Sequence, residues 1–156
     1  LLRLWRLDFC NLQKTACNSC ILAAREVELE KDRNTMRKLT ADIVDSALTV
    51  HCALGPGLLE SAYEACLAYE LEARGWKVER QKDMPVIYKA VEIDCGYRLD
   101  ILVEGEVPIE LKSVEEIHPV YKAQILSYLR LGNFSLGYLM NFNVRLIKDG
   151  IYRFKM

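Results

Sequence analysis

Apolar positions follow two different periods along this chain. From Thr40 to Gly75 they recur at helical spacing. Thr40 can cap a helix carrying Ile43, Val44, Ala47, Leu48, Val50 and Ala53, with Asp42 in its first turn. Gly55-Pro56-Gly57 breaks it. A second helix begins near Leu58, carries Leu59, Ala62, Cys66, Leu67, Ala68 and Leu71, and stops at Gly75. Beyond Gly75 the period shortens to two. Residues 76–81 alternate as a half-exposed strand, and 85–88 and 91–94 read as two further short strands. Arg98–Val103 and Val107–Lys112 are strands around Glu104-Gly105-Glu106, a three-residue hairpin loop with a central glycine. A third helix spans Pro119–Leu131, with Pro119 in its first turn and Gly132 past its end. Strands are expected again at 136–141, 144–148 and 151–154, the last two joined by an Asp149-Gly150 turn. Helices flanking a central mixed sheet define an α/β or α+β domain.

Residues 1–35 read differently. They mix scattered apolar residues, three of the six cysteines and a charged run at 25–33. We expect them to be an N-terminal extension, loosely ordered or foreign to the native protein, ahead of a domain at 36–156 that opens at Met36; a genuine N-terminal helix is the alternative. A chain of 156 residues suits one compact domain. With 51% apolar and 28% charged residues it is neither disordered nor membrane-embedded. Lys and Arg total 21 against 22 for Asp and Glu, giving a net charge of −1. That balance excludes coating nucleic acid by bulk charge, so any such contact must be local. No apolar run approaches the roughly 18–20 residues of a membrane span. Arg3, Arg6 and Asp8 interrupt the apolar start, which argues against a secretory signal. The cysteines are too dispersed for a disulfide scaffold, so a reducing cytoplasm is the expected location.

The stretch from Arg98 to Lys112 carries the most chemistry. If its hairpin is symmetric about Gly105, Val103 faces Val107 and Asp100 faces Glu110, with Cβ atoms about 4.5–5.5 Å apart; a bulge would shift this register. Side chains alternate, so Lys112 shares a face with Glu110. Two carboxylates there can clasp a hard divalent cation such as Mg²⁺, which acidifies water and offsets phosphoryl charge, with an ammonium beside it. Ile101, Val103, Val107, Ile109 and Leu111 make these strands core-like, and burying Asp, Glu and Lys among them is costly unless they pair or bind metal. The plainer alternative is a solvent-facing Glu110–Lys112 ion pair. Glu60 either brings a third carboxylate or complements a helix N-terminus. Gln124 and Tyr128, one turn apart, either orient water and phosphate or form the outer face of an amphipathic helix.

Other candidates are weaker. Cys17 and Cys20 with Cys10 can ligate zinc but lack a second pair. His51 suits a helix C-terminus, and Cys52, Cys66 and Cys95 suit small core positions. Lys77, Arg80, Lys82, Lys89 and Arg98, with Lys122 and Arg130, make either a phosphate-binding rim or a solvated face.

Residues 39–153 resemble the GxxExxY family, a group within the PD-(D/E)xK nuclease-like superfamily. The name motif stands as Gly57, Glu60 and Tyr63. It is followed by Gln81-Lys82, Pro85-Val-Ile-Tyr88, Tyr97-Arg-Leu-Asp100, Ile109-Glu-Leu-Lys112, Ala123-Gln-Ile-Leu-Ser-Tyr-Leu129 and Leu139-Met-Asn-Phe142. Leu99 stands where the superfamily usually has Pro. The resemblance implies a restriction-endonuclease-like core, a mixed four-stranded sheet flanked by helices. It also implies hydrolysis of phosphodiester bonds, in DNA rather than RNA, by a water activated by Mg²⁺ or Mn²⁺. Asp100 and Glu110 would be metal ligands, Glu60 the helix carboxylate beside them, Lys112 the catalytic lysine, and Gln124 with Tyr128 the helix motif. Tyr63, Arg98 and Tyr128 would support the site or bind substrate. A nucleic-acid partner and no membrane follow, and a homodimer would suit cutting of both strands. The alternative is a non-catalytic nucleic-acid- or protein-binding module that retains the fold.

Overall fold

The computed structural model describes residues 5–93 and 97–156. The chain divides after Thr40 into two compact units. Helix α1 (Trp5–Leu54) supplies the described part of the first unit and the opening element of the second. It runs straight through Thr40, which caps nothing: its hydroxyl donates back to the Arg37 carbonyl at 2.9 Å, the usual device of a threonine inside a helix. Ile43, Ala47 and Val50 are buried at helical spacing. His51 lies in the last turn and its Nε2 is 2.8 Å from the Val144 carbonyl.

The break after α1 is built by Gly55 and Gly57, both left-handed at φ +67° and +99°. Tyr63 locks the turn. Its hydroxyl donates to the Gly55 carbonyl at 2.6 Å and accepts from the Leu58 amide at 3.1 Å, while its ring stacks on Phe142. Helix α2 therefore starts at Glu60 and runs to Ala73.

The remaining elements are β1 (Val78–Asp83), β2 (Val86–Tyr88), β3 (Val91–Ile93), β4 (Arg98–Val103), β5 (Val107–Lys112), α3 (Pro119–Leu131), β6 (Leu136–Asn141) and β7 (Ile151–Lys155). Five strands form one mixed sheet in the order β1-β4-β5-β6-β7, and β2 and β3 form a separate hairpin. Only the β5–β6 pairing in the five-stranded sheet is parallel, the connection that α3 spans. Helix α2 packs on β1, β4 and β5, and α3 on β5 and β6. The α/β expectation holds, with five strands where four were implied. Beneath α3, Leu102 and Leu139 pack with Ile125 and Tyr128, while Ile101, Val103, Ile109 and Leu111 are buried from the alternate positions. Strands covered on both faces read as the nearly continuous apolar runs seen here. His118 caps α3 by accepting the Val120 amide on Nδ1 at 3.2 Å, and Pro119 occupies the first turn.

Further expectations fail, beyond the Thr40 cap. Residues 144–148 are not a strand; the chain bends and makes a 3₁₀ turn at Ile147–Asp149, and β7 pairs with β6 instead. The reason lies at Gly150, whose missing side chain lets it press against β6: a Cβ there would collide with the Asn141 carbonyl oxygen. The Asn141 amide donates to the Gly150 carbonyl at 2.9 Å. Asn141 is itself buried, accepting the Val114 amide at 3.1 Å and donating to the Val114 carbonyl at 2.8 Å. Cys52 is exposed rather than core, because it lies off the α1 stripe that Ile43, Ala47 and Val50 define. Asp94, Cys95 and the side chains of Cys10, Cys17 and Cys20 lie outside the described residues.

Candidate active site

The β4–β5 hairpin pairs Val103 with Val107, Leu102 with Pro108 and Ile101 with Ile109. One further step along the same register sets Asp100 against Glu110. There the Leu111 amide donates to Asp100 Oδ2 at 2.8 Å, so one oxygen of the aspartate is fixed by the neighbouring backbone. Glu110 is 3% exposed. Its Oε1 accepts from Lys112 Nζ at 2.6 Å and from Gln124 Nε2 at 2.9 Å. Gln124 also donates to Tyr128 Oη at 2.7 Å, so α3 reaches onto β5 through two polar side chains one turn apart. The Lys112 ammonium sits 5.3 Å from the Tyr121 ring centroid, so a carboxylate and an aromatic face both hold it. The structure thus brings Asp100, Glu110, Lys112, Gln124 and Tyr128 together.

Burial sets the electrostatics. Desolvation, reinforced by the charge of Asp100, pushes the Glu110 carboxyl up to about 7 against the opposing pull of Lys112. Asp100 is raised for the same first reason; the Leu111 amide and Lys112 oppose the rise, and Glu64 and Glu60 add to it. Desolvation alone would lower Lys112, but the hydrogen bond and charge of Glu110, with Asp100 and Glu60, carry it above its ordinary value. The Tyr128 hydroxyl is held above its usual range, first by burial and then by the nearby carboxylates.

Glu60 stands beside this group rather than in it. Its Oε1 accepts the Ser113 amide at 2.9 Å, and the Ser113 hydroxyl donates to the Leu58 carbonyl at 2.7 Å. Glu60 therefore ties the start of α2 to the end of β5, and it acts on Asp100 and Glu110 through its charge. Tyr63 is fully buried and shapes the turn ahead of Glu60. Arg98 pairs with Asp83 at 2.9 Å on the exposed side of the β1–β4 ladder. Arg80 pairs with Glu64 and Lys82 with Glu79, so three of the cations expected at a phosphate rim face acids instead.

Sequence reading gave no site role to Glu64, nor to Gln81, which it quoted only within the Gln81-Lys82 motif. Glu64 is buried one turn beyond Glu60, and Gln81 Nε2 bridges Glu64 Oε2 at 2.7 Å and Asp100 Oδ1 at 3.5 Å. The four-residue spacing from Glu60 was the available signal for Glu64.

Among the described residues, no three or more His, Cys, Asp and Glu side chains are grouped to hold a metal ion. The pair Asp100–Glu110 nonetheless has the donor chemistry of a hard-cation site. Among the described residues, Glu110 Oε2 is buried with no hydrogen-bond partner, and Asp100 Oδ1 has only the long contact from Gln81. A buried, unbonded carboxylate oxygen is costly, and Mg²⁺ commonly takes one or two carboxylates, completing its shell with water and phosphate. No described helix is long and apolar enough to cross a membrane. Compared with known proteins, residues 37–154 match the family model described as the PD-(D/E)XK nuclease superfamily. No curated protein and no solved structure gives a significant match.

Proposed function

Since the chain belongs to the PD-(D/E)XK nuclease superfamily, we propose that it is an Mg²⁺- or Mn²⁺-dependent phosphodiesterase that hydrolyses DNA in preference to RNA. The five-stranded mixed sheet with flanking helices is consistent with the restriction-endonuclease-like fold of that superfamily. The observation that carries the reading is the convergence of Asp100, Glu110 and Lys112, with Glu110 Oε2 buried and, among the described residues, unsatisfied. Asp100 and Glu110 would hold the cation, with Glu60 adding negative charge nearby. Such a cation, when bound, acidifies water and neutralises phosphoryl charge. Lys112 directs an ammonium at the place where negative charge grows on the phosphate. Gln124, anchored by Tyr128, fixes the rotation of the Glu110 carboxylate from α3. The finer GxxExxY assignment belongs to the same proposal. It draws support from Gly57, Glu60 and Tyr63, which here build the turn that delivers Glu60. Cytoplasmic action fits the free thiols Cys52 and Cys66, and cutting of both strands would call for a homodimer.

Purified protein with Mg²⁺ or Mn²⁺ is expected to cleave DNA, and Asp100→Asn is expected to abolish cleavage without unfolding the protein. Metal-dependent cleavage that survives both Asp100→Asn and Lys112→Ala would refute the assignment. A second reading, a binding module on the same fold, is favoured by one feature: Arg80, Lys82 and Arg98 are each paired with an acid, which spares little positive charge for phosphate. Calorimetry separates the two, because the enzyme must bind Mn²⁺ at millimolar concentration or below.

A further inference from the structure

Strand β1 departs from a regular pleat at one residue. Gln81 has φ +49°, a left-handed value unfavourable for a side chain with a Cβ. The pairing with β4 is in step on either side, Arg80 with Ile101 and Lys82 with Leu99. No residue has been inserted, so this is not a bulge. The backbone turns over locally, at the register position that faces Asp100.

The side chains show what the turn achieves. Adjacent residues of a flat strand point to opposite faces, yet Arg80 and Gln81 both reach the one buried carboxylate of Glu64. Arg80 Nε meets Oε1 at 2.8 Å and Gln81 Nε2 meets Oε2 at 2.7 Å. The Gln81 amide also lies 3.5 Å from Asp100 Oδ1, the oxygen left open when the Leu111 amide takes Oδ2. Arg80 already supplies a counter-charge to Glu64, so the ion pair alone gives no reason for the strained backbone.

We propose that Gln81 is a positioning residue: its carboxamide, aimed by the left-handed turn in β1, links Glu64 on α2 to Asp100 on β4 and sets the orientation of the open Asp100 oxygen. The proposal rests on reading Asp100 as a cation ligand. The amide suits the task because it is neutral and has two N–H groups to give. An ammonium or guanidinium at the same point would compete with a cation for Asp100 Oδ1. A carboxylate would repel both acids. The amide restrains the carboxylate and leaves its charge for the cation.

The test uses the full chain with Mn²⁺ alone, followed by calorimetry, and then DNA cleavage. Gln81→Gly removes the amide and accepts the left-handed backbone, so it is expected to fold with unchanged circular dichroism. Its Mn²⁺ affinity is expected to fall about 10–100-fold, the range typical of residues that orient metal ligands. The cleavage kcat should fall with it while KM for DNA stays near the wild-type value. Gln81→Asn tolerates the same backbone and keeps an amide one methylene short, so it should lie between the two; it also serves if the glycine variant is too unstable to measure. Wild-type affinity and kcat in the glycine variant, or in the asparagine variant where glycine cannot be measured, would assign Gln81 to backbone structure and overturn this inference alone. A wild-type protein that binds no Mn²⁺ would overturn the cation reading and this inference with it.

Discussion

Two strand pairs in this molecule invert the ordinary distribution of polarity, in opposite senses. The β4–β5 hairpin takes charge inside: Glu110 is 3% exposed, and Lys112 lies against it on a strand otherwise made of core residues. The β2–β3 hairpin leaves hydrocarbon outside: Ile87, Tyr88 and Val91 are 60–70% exposed, and Ile93 is exposed as well. The two inversions differ in energetic weight. An exposed apolar side chain keeps roughly the hydration it has in the unfolded chain, so it costs folding little. A buried carboxylate with an unbonded oxygen costs several kcal/mol unless a partner repays it. Departure from the ordinary rule is informative here where it is expensive, and that is the ground for proposing a site on β4 and β5.

The sharpest way to break this contrast is Lys112→Ala. Cleavage is expected to fall about 10²–10³-fold, the usual loss when a preorganised group facing developing charge is removed. Initial rates at saturating metal, with circular dichroism to confirm folding, give the answer. An unchanged rate would leave the charges on β5 as inert as the hydrocarbon on β2 and β3.

Stability against pH tests the cost of burial directly. The Glu110 carboxyl is raised from 4.5 to about 7 in the folded protein. Below 4.5 both folded and unfolded chains hold the proton. As pH rises towards 7, the unfolded chain releases it and the folded chain does not, so stability is lost across that window. Without metal, Glu110→Gln should therefore be more stable than wild type at pH 8, by on the order of 2 kcal/mol, and show no gain at pH 4. Urea denaturation at the two pH values measures this. A destabilised variant at pH 8 would mean that the Lys112 ion pair outweighs desolvation.

Tyr63→Phe should cost about 1–2 kcal/mol, the worth of the two hydroxyl bonds to the Gly55 carbonyl and the Leu58 amide. The Phe142 stack survives, and the loosened turn should reduce cleavage less than Lys112→Ala does; thermal melting and initial rates report both effects. The smallest effect is expected from Ile87→Ser, within about 0.5 kcal/mol in stability and with unchanged cleavage. A larger loss would show that the β2–β3 hairpin is held by packing.

Much of the site was legible because its geometry is local. Glu104-Gly105-Glu106 specified a hairpin, the hairpin fixed the register, and alternation set Lys112 on the face of Glu110. Pro119 and Gly132 marked the ends of α3 for the same local reasons. What escaped depends on distant partners. Gln81 reaches Glu64 only because α2 packs on β1 and because its own backbone leaves the pleat, which no alternation pattern encodes. Asp149-Gly150 has the composition of a hairpin turn, but tight contact with Asn141 overrides it. Thr40 has the composition of a cap, yet its hydroxyl bonds within a continuing helix.

The fit between Gly150 and Asn141 gives the turn ahead of β7 a say in the proposed hydrolysis, which would occur elsewhere. Asn141 clamps Val114, and the residue before Val114 holds Glu60 in place. A methyl group added at position 150 would push on that clamp from behind. A random-mutagenesis screen for inactive variants should therefore recover substitutions of Gly150, which bears no chemistry of its own, while passing over most changes on β2 and β3.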